Sequence, residues 1–235
     1  MSTAARRLDA RTIELKWLLA ACGLAAALFV LFPAIDLLVS GGFVRDSRWL
    51  LTASSSWLHL QSALPWCLVA AALGMLLAPK LRRQSGLTTR RATLAFLATA
   101  ALLGPFGLIG SMADHSGRAR PTETRSFGGK QAFTPAFIVS RECARDCSFV
   151  SRPAAQTALV MTLGWFAAPA MRRRWLIGSA ALAALSALPD LLAGRAFLSD
   201  VVFAWFAVYF STWISGWLLL QTRWFGGSIH PRIEP

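Results

Sequence analysis

Six stretches of this chain are apolar over nearly the whole length a bilayer-crossing helix requires: residues 17–39, 63–78, 93–112, 154–171, 175–193 and 199–221. A spanning helix needs roughly 17–25 residues, and the second stretch lies at the short end of that range. The expected fold is therefore all-α, a six-transmembrane-helix bundle forming a single polytopic membrane domain over 1–235. Composition points the same way: 55% of residues are hydrophobic and 15% charged, against about 25% charged in ordinary soluble domains.

Basic residues precede the first run, as they do in a secretory signal peptide. The run continues past the usual length, however, and "FPAIDLLVSGGF" follows where small cleavage-site residues belong, so it reads as a retained helix. Lys and Arg in short loops set orientation. Arg6, Arg7, Arg11 and Lys16 precede the first span, Lys80, Arg82, Arg83, Arg90 and Arg91 separate the second from the third, and Arg172, Arg173 and Arg174 separate the fourth from the fifth. These place both termini in the cytoplasm and the loops 40–62, 113–153 and 194–198 outside. Most of the net charge of +13 follows from this bias and from attraction to anionic head groups.

The long outer loop 113–153 departs from the pattern by carrying Arg118, Arg120, Arg125, Lys130, Arg141, Arg145 and Arg152. No nucleic-acid-binding module surrounds these arginines, so nucleic acid is not an expected partner. Within the loop, Cys143 and Cys147 stand four residues apart in "SRECARDCSF", and an oxidising compartment favours a disulfide between them. A metal site is not expected, because the pair has no further ligands nearby. Cys22 and Cys67 lie within apolar runs and read as small core residues. "RDSRWLLTASSSWLHLQSALPW" reads as an interfacial helix, since its Trp49, Trp57 and Trp66 are of the type that favours the water–lipid boundary. Trp205, Tyr209, Trp213 and Trp217 share one face of the last span and read as packing or lipid contact.

"FPAIDLLVSGGF", the outer loop "GRARPTETRSFGGKQAFTPAFIVSRECARDCSFVS" and "FLSDVVFAW" occur in this order along the chain. Together they resemble the membrane-bound type 2 phosphatidic acid phosphatase superfamily, whose fold is a six-helix bundle. The resemblance implies three motifs: Lys-x6-Arg-Pro, Ser-Gly-His and Arg-x5-His-x3-Asp. It implies a nucleophilic histidine oriented by the Asp, an acid histidine that protonates the leaving oxygen, and a Lys/Arg phosphate cradle.

Here Arg120, Pro121, Ser151 and Asp200 match the family pattern. Ala113 replaces the Lys, Arg152 the Gly, Pro153 the acid histidine, Asp190 the Arg and Ala196 the nucleophile. Proline has neither a proton to give nor a backbone N–H. An acid at 190 repels phosphate. His115, in "DHSGRARP", corresponds to an accessory position in the family, and Arg118, Arg152 and Arg195 are further accessory candidates. Residues that act as a unit fail together, so losing both histidines removes the family chemistry.

The expected function is that of a catalytically inactive pseudophosphatase in the bacterial inner membrane, its relic site facing the periplasm. It would bind membrane lipids, an anionic lipid phosphate among them, or a partner membrane protein, without cofactor or metal. The alternatives are an active lipid phosphate or undecaprenyl-diphosphate phosphatase with a non-standard site, and a scaffold with no ligand. Carboxylates are costly in or near lipid unless paired. Asp190 and Asp200 are therefore expected to meet Arg120, Arg152 or Arg195.

Overall fold

The computed structural model describes residues 3–51, 90–145, 147–167 and 169–221. The run at 63–78 lies outside them. Helix α1 (Thr3–Leu31) is followed by α2 (Ala34–Gly41), a two-residue hairpin β1 (Val44–Arg45) and β2 (Arg48–Trp49), then α3 (Arg90–Ala101). A π-helical stretch at Leu102–Leu108 leads into α4 (Ile109–His115). After the long loop come α5 (Arg152–Ala158), a 3-10 continuation at Leu159–Phe166, α6 (Pro169–Leu192) and α7 (Leu198–Gln221). The protein is an all-α membrane protein. Four stretches among the described residues are long and apolar enough to cross a bilayer: Arg11–Leu31, Phe96–His115, Ala170–Leu192 and Leu198–Leu218.

Prolines account for two departures from the expected boundaries. The run at 17–39 is broken at Phe32–Pro33, because Pro33 has no N–H for the helix ladder and disfavours helical geometry in the residue before it. The chain turns there, and α2 carries Asp36 into the interior, 1% exposed. Pro169 opens α6, a position where its missing N–H costs nothing. The expected loop residues Arg172–Arg174 consequently lie in the first two turns of a helix. A third departure lies at the start of the expected interfacial helix, where residues 44–49 form a hairpin with Asp46 and Ser47 both at positive φ, while 52–66 of that stretch, with Trp57 and Trp66, lie outside the described residues. Those are the dihedrals of the tight turn whose twist suits paired strands.

Packing gathers around α7. Ala154, Ala155 and Ala158 of α5, Ala183 and Ala187 of α6 and Ala204 of α7 are all buried, and small side chains of this kind let helices approach closely in lipid. Phe29, Phe149 and Phe203 fill the wider part of the core. At the other end from the long loop, Arg172 makes two 2.7 Å bonds to Glu14, and the Tyr209 hydroxyl donates to the same carboxylate at 2.9 Å. Arg11 and Arg172 both lie over the Trp165 ring, at 4.5 and 4.8 Å. Tyr209 of the aromatic face thus ties α1 to α6 and α7, while Trp205 donates to Ser179 at 3.0 Å.

Candidate functional site

The site is assembled where the loop after α4, the segment before α5 and the start of α7 meet. Gly117 makes the first turn, at φ +64°, and a Cβ there would collide with the Ser140 carbonyl. The next residue, Arg118, is driven into the protein and is 1% exposed. Its guanidinium meets Asp36 at 2.8 Å and Asp200 at 2.5 Å. It also donates to the Thr134 carbonyl at 2.8 Å and to Ser199 Oγ at 2.9 Å. The Phe197 ring packs on it, 4.3 Å from the guanidinium carbon. A charge removed from water in this way persists only when paired and fully hydrogen-bonded.

Both carboxylates are saturated in turn. Asp36 accepts from Ser199 N–H at 2.9 Å and Ser199 Oγ at 2.6 Å. Asp200 accepts from Ser148 Oγ at 2.5 Å and from Phe197 N–H at 2.7 Å. Ser148 is delivered by the segment stapled by the Cys143–Cys147 disulfide, with a Cα–Cα distance of 5.7 Å. That segment is pinned by Cys147 N–H to the Ala113 carbonyl and Ser148 N–H to the Arg118 carbonyl, both 3.0 Å.

The remaining motif positions surround this centre. Ser151 is buried, donates its N–H to the Asp200 carbonyl at 3.1 Å and caps α5 by accepting from Ala154 N–H. Ala196 is 3% exposed, in the loop between α6 and α7. Asp190 meets Arg195 at 3.6 Å, with Arg195 36% exposed. Arg152 meets Asp114 at 2.9 Å, and both are substantially exposed. Arg120 N–H donates to Glu123 at 3.0 Å, and Pro121 opens the turn whose Thr122 N–H reaches the Gly194 carbonyl at 3.0 Å. The Trp49 indole packs so closely on Gly194 that a Cβ there would clash. His115 is exposed at the end of α4, its Nδ1 2.8 Å from the Ser111 carbonyl.

The structure therefore brings all three motif segments together, but the centre is a closed ion cluster. Of this cluster, Asp200 is marked by the motif pattern and Arg118 only as an accessory candidate, while Asp36, Ser148 and Ser199 stand outside the motif positions. The available signal was the lone acid in "FPAIDLL", since an ionisable residue in an apolar run demands a partner. Among the described residues, no three His, Cys, Asp or Glu side chains come together as metal ligands.

The chain is similar to the lipid A 4'-phosphatase of Francisella tularensis subsp. novicida (strain U112), 28% identical over 214 residues covering 83% of this chain and 91% of that protein. It is also similar to the lipid A 4'-phosphatases of Rhizobium leguminosarum, 35% identical over 105 residues, and Rhizobium etli (strain ATCC 51251 / DSM 11541 / JCM 21823 / NBRC 15573 / CFN 42), 35% over 107 residues. Those matches span 44% and 45% of this chain and less than half of each rhizobial protein, 45% and 42%. No protein-family model and no solved structure matches.

Proposed function

Because this chain belongs to the type 2 phosphatidic acid phosphatase superfamily of membrane phosphatases, we propose that it is a bacterial membrane protein that has kept the family's lipid contact and lost its chemistry. The observation that carries this reading is the state of Asp200. In the family pattern that carboxylate orients a nucleophilic histidine four residues before it. Here position 196 is a buried alanine, and Asp200 is taken up by Arg118, Ser148 and the Phe197 N–H. Nucleophilic catalysis needs a nucleophile with an oriented base in hydrogen-bond reach. A methyl group at 196 and a pyrrolidine ring at 153 supply neither nucleophile nor acid.

The ligand this reading assigns is a phosphorylated lipid, of the kind named by the lipid A 4'-phosphatase relatives. Its phosphate is expected at the rim, not at Asp200. Arg118 is locked in a buried cluster, whereas the exposed Arg152–Asp114 pair belongs to a class worth about 0–1 kcal/mol. A phosphate can displace Asp114 from Arg152 at little cost. The positive-inside bias and the disulfide support a periplasmic site with cytoplasmic termini.

The test uses purified full-length protein in detergent with phosphatidate, an isoprenyl diphosphate and lipid A. Phosphate release is expected to match a mock preparation, while flotation with vesicles containing the same lipids is expected to weaken in Arg152→Ala. Turnover that disappears in Asp200→Ala or His115→Gln would overturn the assignment.

A further inference from the structure

A cavity of about 290 Å³ opens beside the ion cluster, between the end of α4 and the loop at 137–139. Its walls are mainly apolar, from Met112, Phe137, Ile138, Val139 and Phe149, and His115 and the ion cluster's own Arg118 also line it. The loop that forms one wall is fixed in place. Ser140 N–H donates to the Ser116 carbonyl at 3.0 Å, Ser140 Oγ donates to the Gly117 carbonyl, and Phe137 packs edge-on against Phe203 and Phe149 at 4.5 and 5.3 Å. Despite this anchoring, Phe137, Ile138 and Val139 are 48%, 54% and 78% exposed. Three consecutive large apolar side chains held out from a polar loop mark a contact surface.

We propose that this slot takes one acyl chain of an anionic bilayer lipid, with Val139 and Ile138 inserted among neighbouring chains. Three observations select lipid. The facing wall, Ser111 and Met112, belongs to the last turn of the span Phe96–His115, so the slot opens at the depth where hydrocarbon gives way to head groups. The volume lies at the lower limit of small-molecule sites, roughly 300–1,000 Å³, and suits a single chain better than a whole lipid. The apolar tip is followed by exposed Arg141 and Arg145, and exposed His115 lines the slot, an arrangement that complements an anionic head group. The proposal rests on embedding in the bilayer and is independent of whether the centre is catalytically inactive.

The experiment places the full-length protein in vesicles containing phosphatidylglycerol with a photoreactive diazirine near the end of one acyl chain, and maps the adducts by mass spectrometry. Labelling is expected to concentrate on 111–116 and 137–139, and unlabelled phosphatidylglycerol is expected to compete better than phosphatidylcholine. Val139→Asp, at a position exposed enough to leave folding unaffected, should reduce labelling about tenfold, the equivalent of the lower part of the range for burying one aliphatic side chain. Met112→Trp, which fills the slot, should reduce it while leaving labelling of exposed Leu24 and Ile177 unchanged. Labelling at 137–139 no stronger than at Leu24 and Ile177, equal competition by both lipids, or cross-links between two copies through 137–139 in place of lipid adducts would each overturn the proposal. Phosphate release measured on the same vesicles reports separately on catalytic inactivity.

Discussion

Replacing Arg118 with methionine removes one positive charge from the centre of the protein while keeping an apolar stem between Phe133 and Phe197. In the native cluster one guanidinium faces two carboxylates, Asp36 at 1% and Asp200 at 0% exposure. After substitution both carboxylates remain buried with only Ser148, Ser199 and the Phe197 and Ser199 N–H groups as donors. Breaking a buried pair in this way costs roughly 3–5 kcal/mol. For a chain of this size each kcal/mol moves the melting temperature by roughly 2–4 °C, so Arg118→Met is expected to melt about 6–20 °C below wild type. The assay is the fraction of monodisperse protein surviving a heating series in detergent. Neutralising the whole cluster, by Arg118→Met with Asp36→Asn and Asp200→Asn, should recover at least half of the loss, because an uncharged replacement leaves no orphan charge. Arg125→Met, at an exposed site, should stay within about 2 °C of wild type. An Arg118→Met protein that melts with the Arg125→Met control would refute the claim that the cluster holds the three motif segments together.

Restoring the nucleophile alone, with Ala196→His, should release no phosphate above background and should lower stability by about 1–3 kcal/mol, since an imidazole must be forced into a packed site whose Asp200 is already engaged; phosphate assay and melting on one sample check both. Asp190→Ala should cost only about 1 kcal/mol or less, because Arg195 is partly exposed at 3.6 Å and the pair is not the fully buried one expected from the sequence. A double-mutant cycle with Arg195→Ala measures this coupling. Reducing the Cys143–Cys147 bond, or replacing both residues with serine, should cost about 2 kcal/mol for so short a loop, visible as a lowered melting temperature in the presence of a reductant.

Features with a local cause were legible in the sequence. Bilayer-length apolar runs specify spanning helices because each backbone group must be satisfied within its own segment, and four of the six runs coincide with helical stretches long and apolar enough to cross a bilayer, whereas the run at 154–171 forms only a short α-helix and a 3-10 continuation. The absence of histidine at 153 and 196 is a matter of identity. Two cysteines four residues apart are close enough to bridge without any help from the rest of the fold. Even the break at Pro33 and the helix start at Pro169 have a local signal, although it does not show in the hydrophobic runs alone. Which charge meets which was decided only by the tertiary structure. The arginines considered as partners for Asp200 were Arg120, Arg152 and Arg195, yet the one that reaches it is Arg118, whose two carboxylates each lie 82 positions away along the chain. Several cations close in sequence are chemically equivalent candidates, and nothing in their spacing ranks them. The choice falls to the one that the Gly117 turn points inward and that the bend at Pro33 and the start of α7 surround with acceptors, because desolvation makes any other occupant of that volume an unpaired charge.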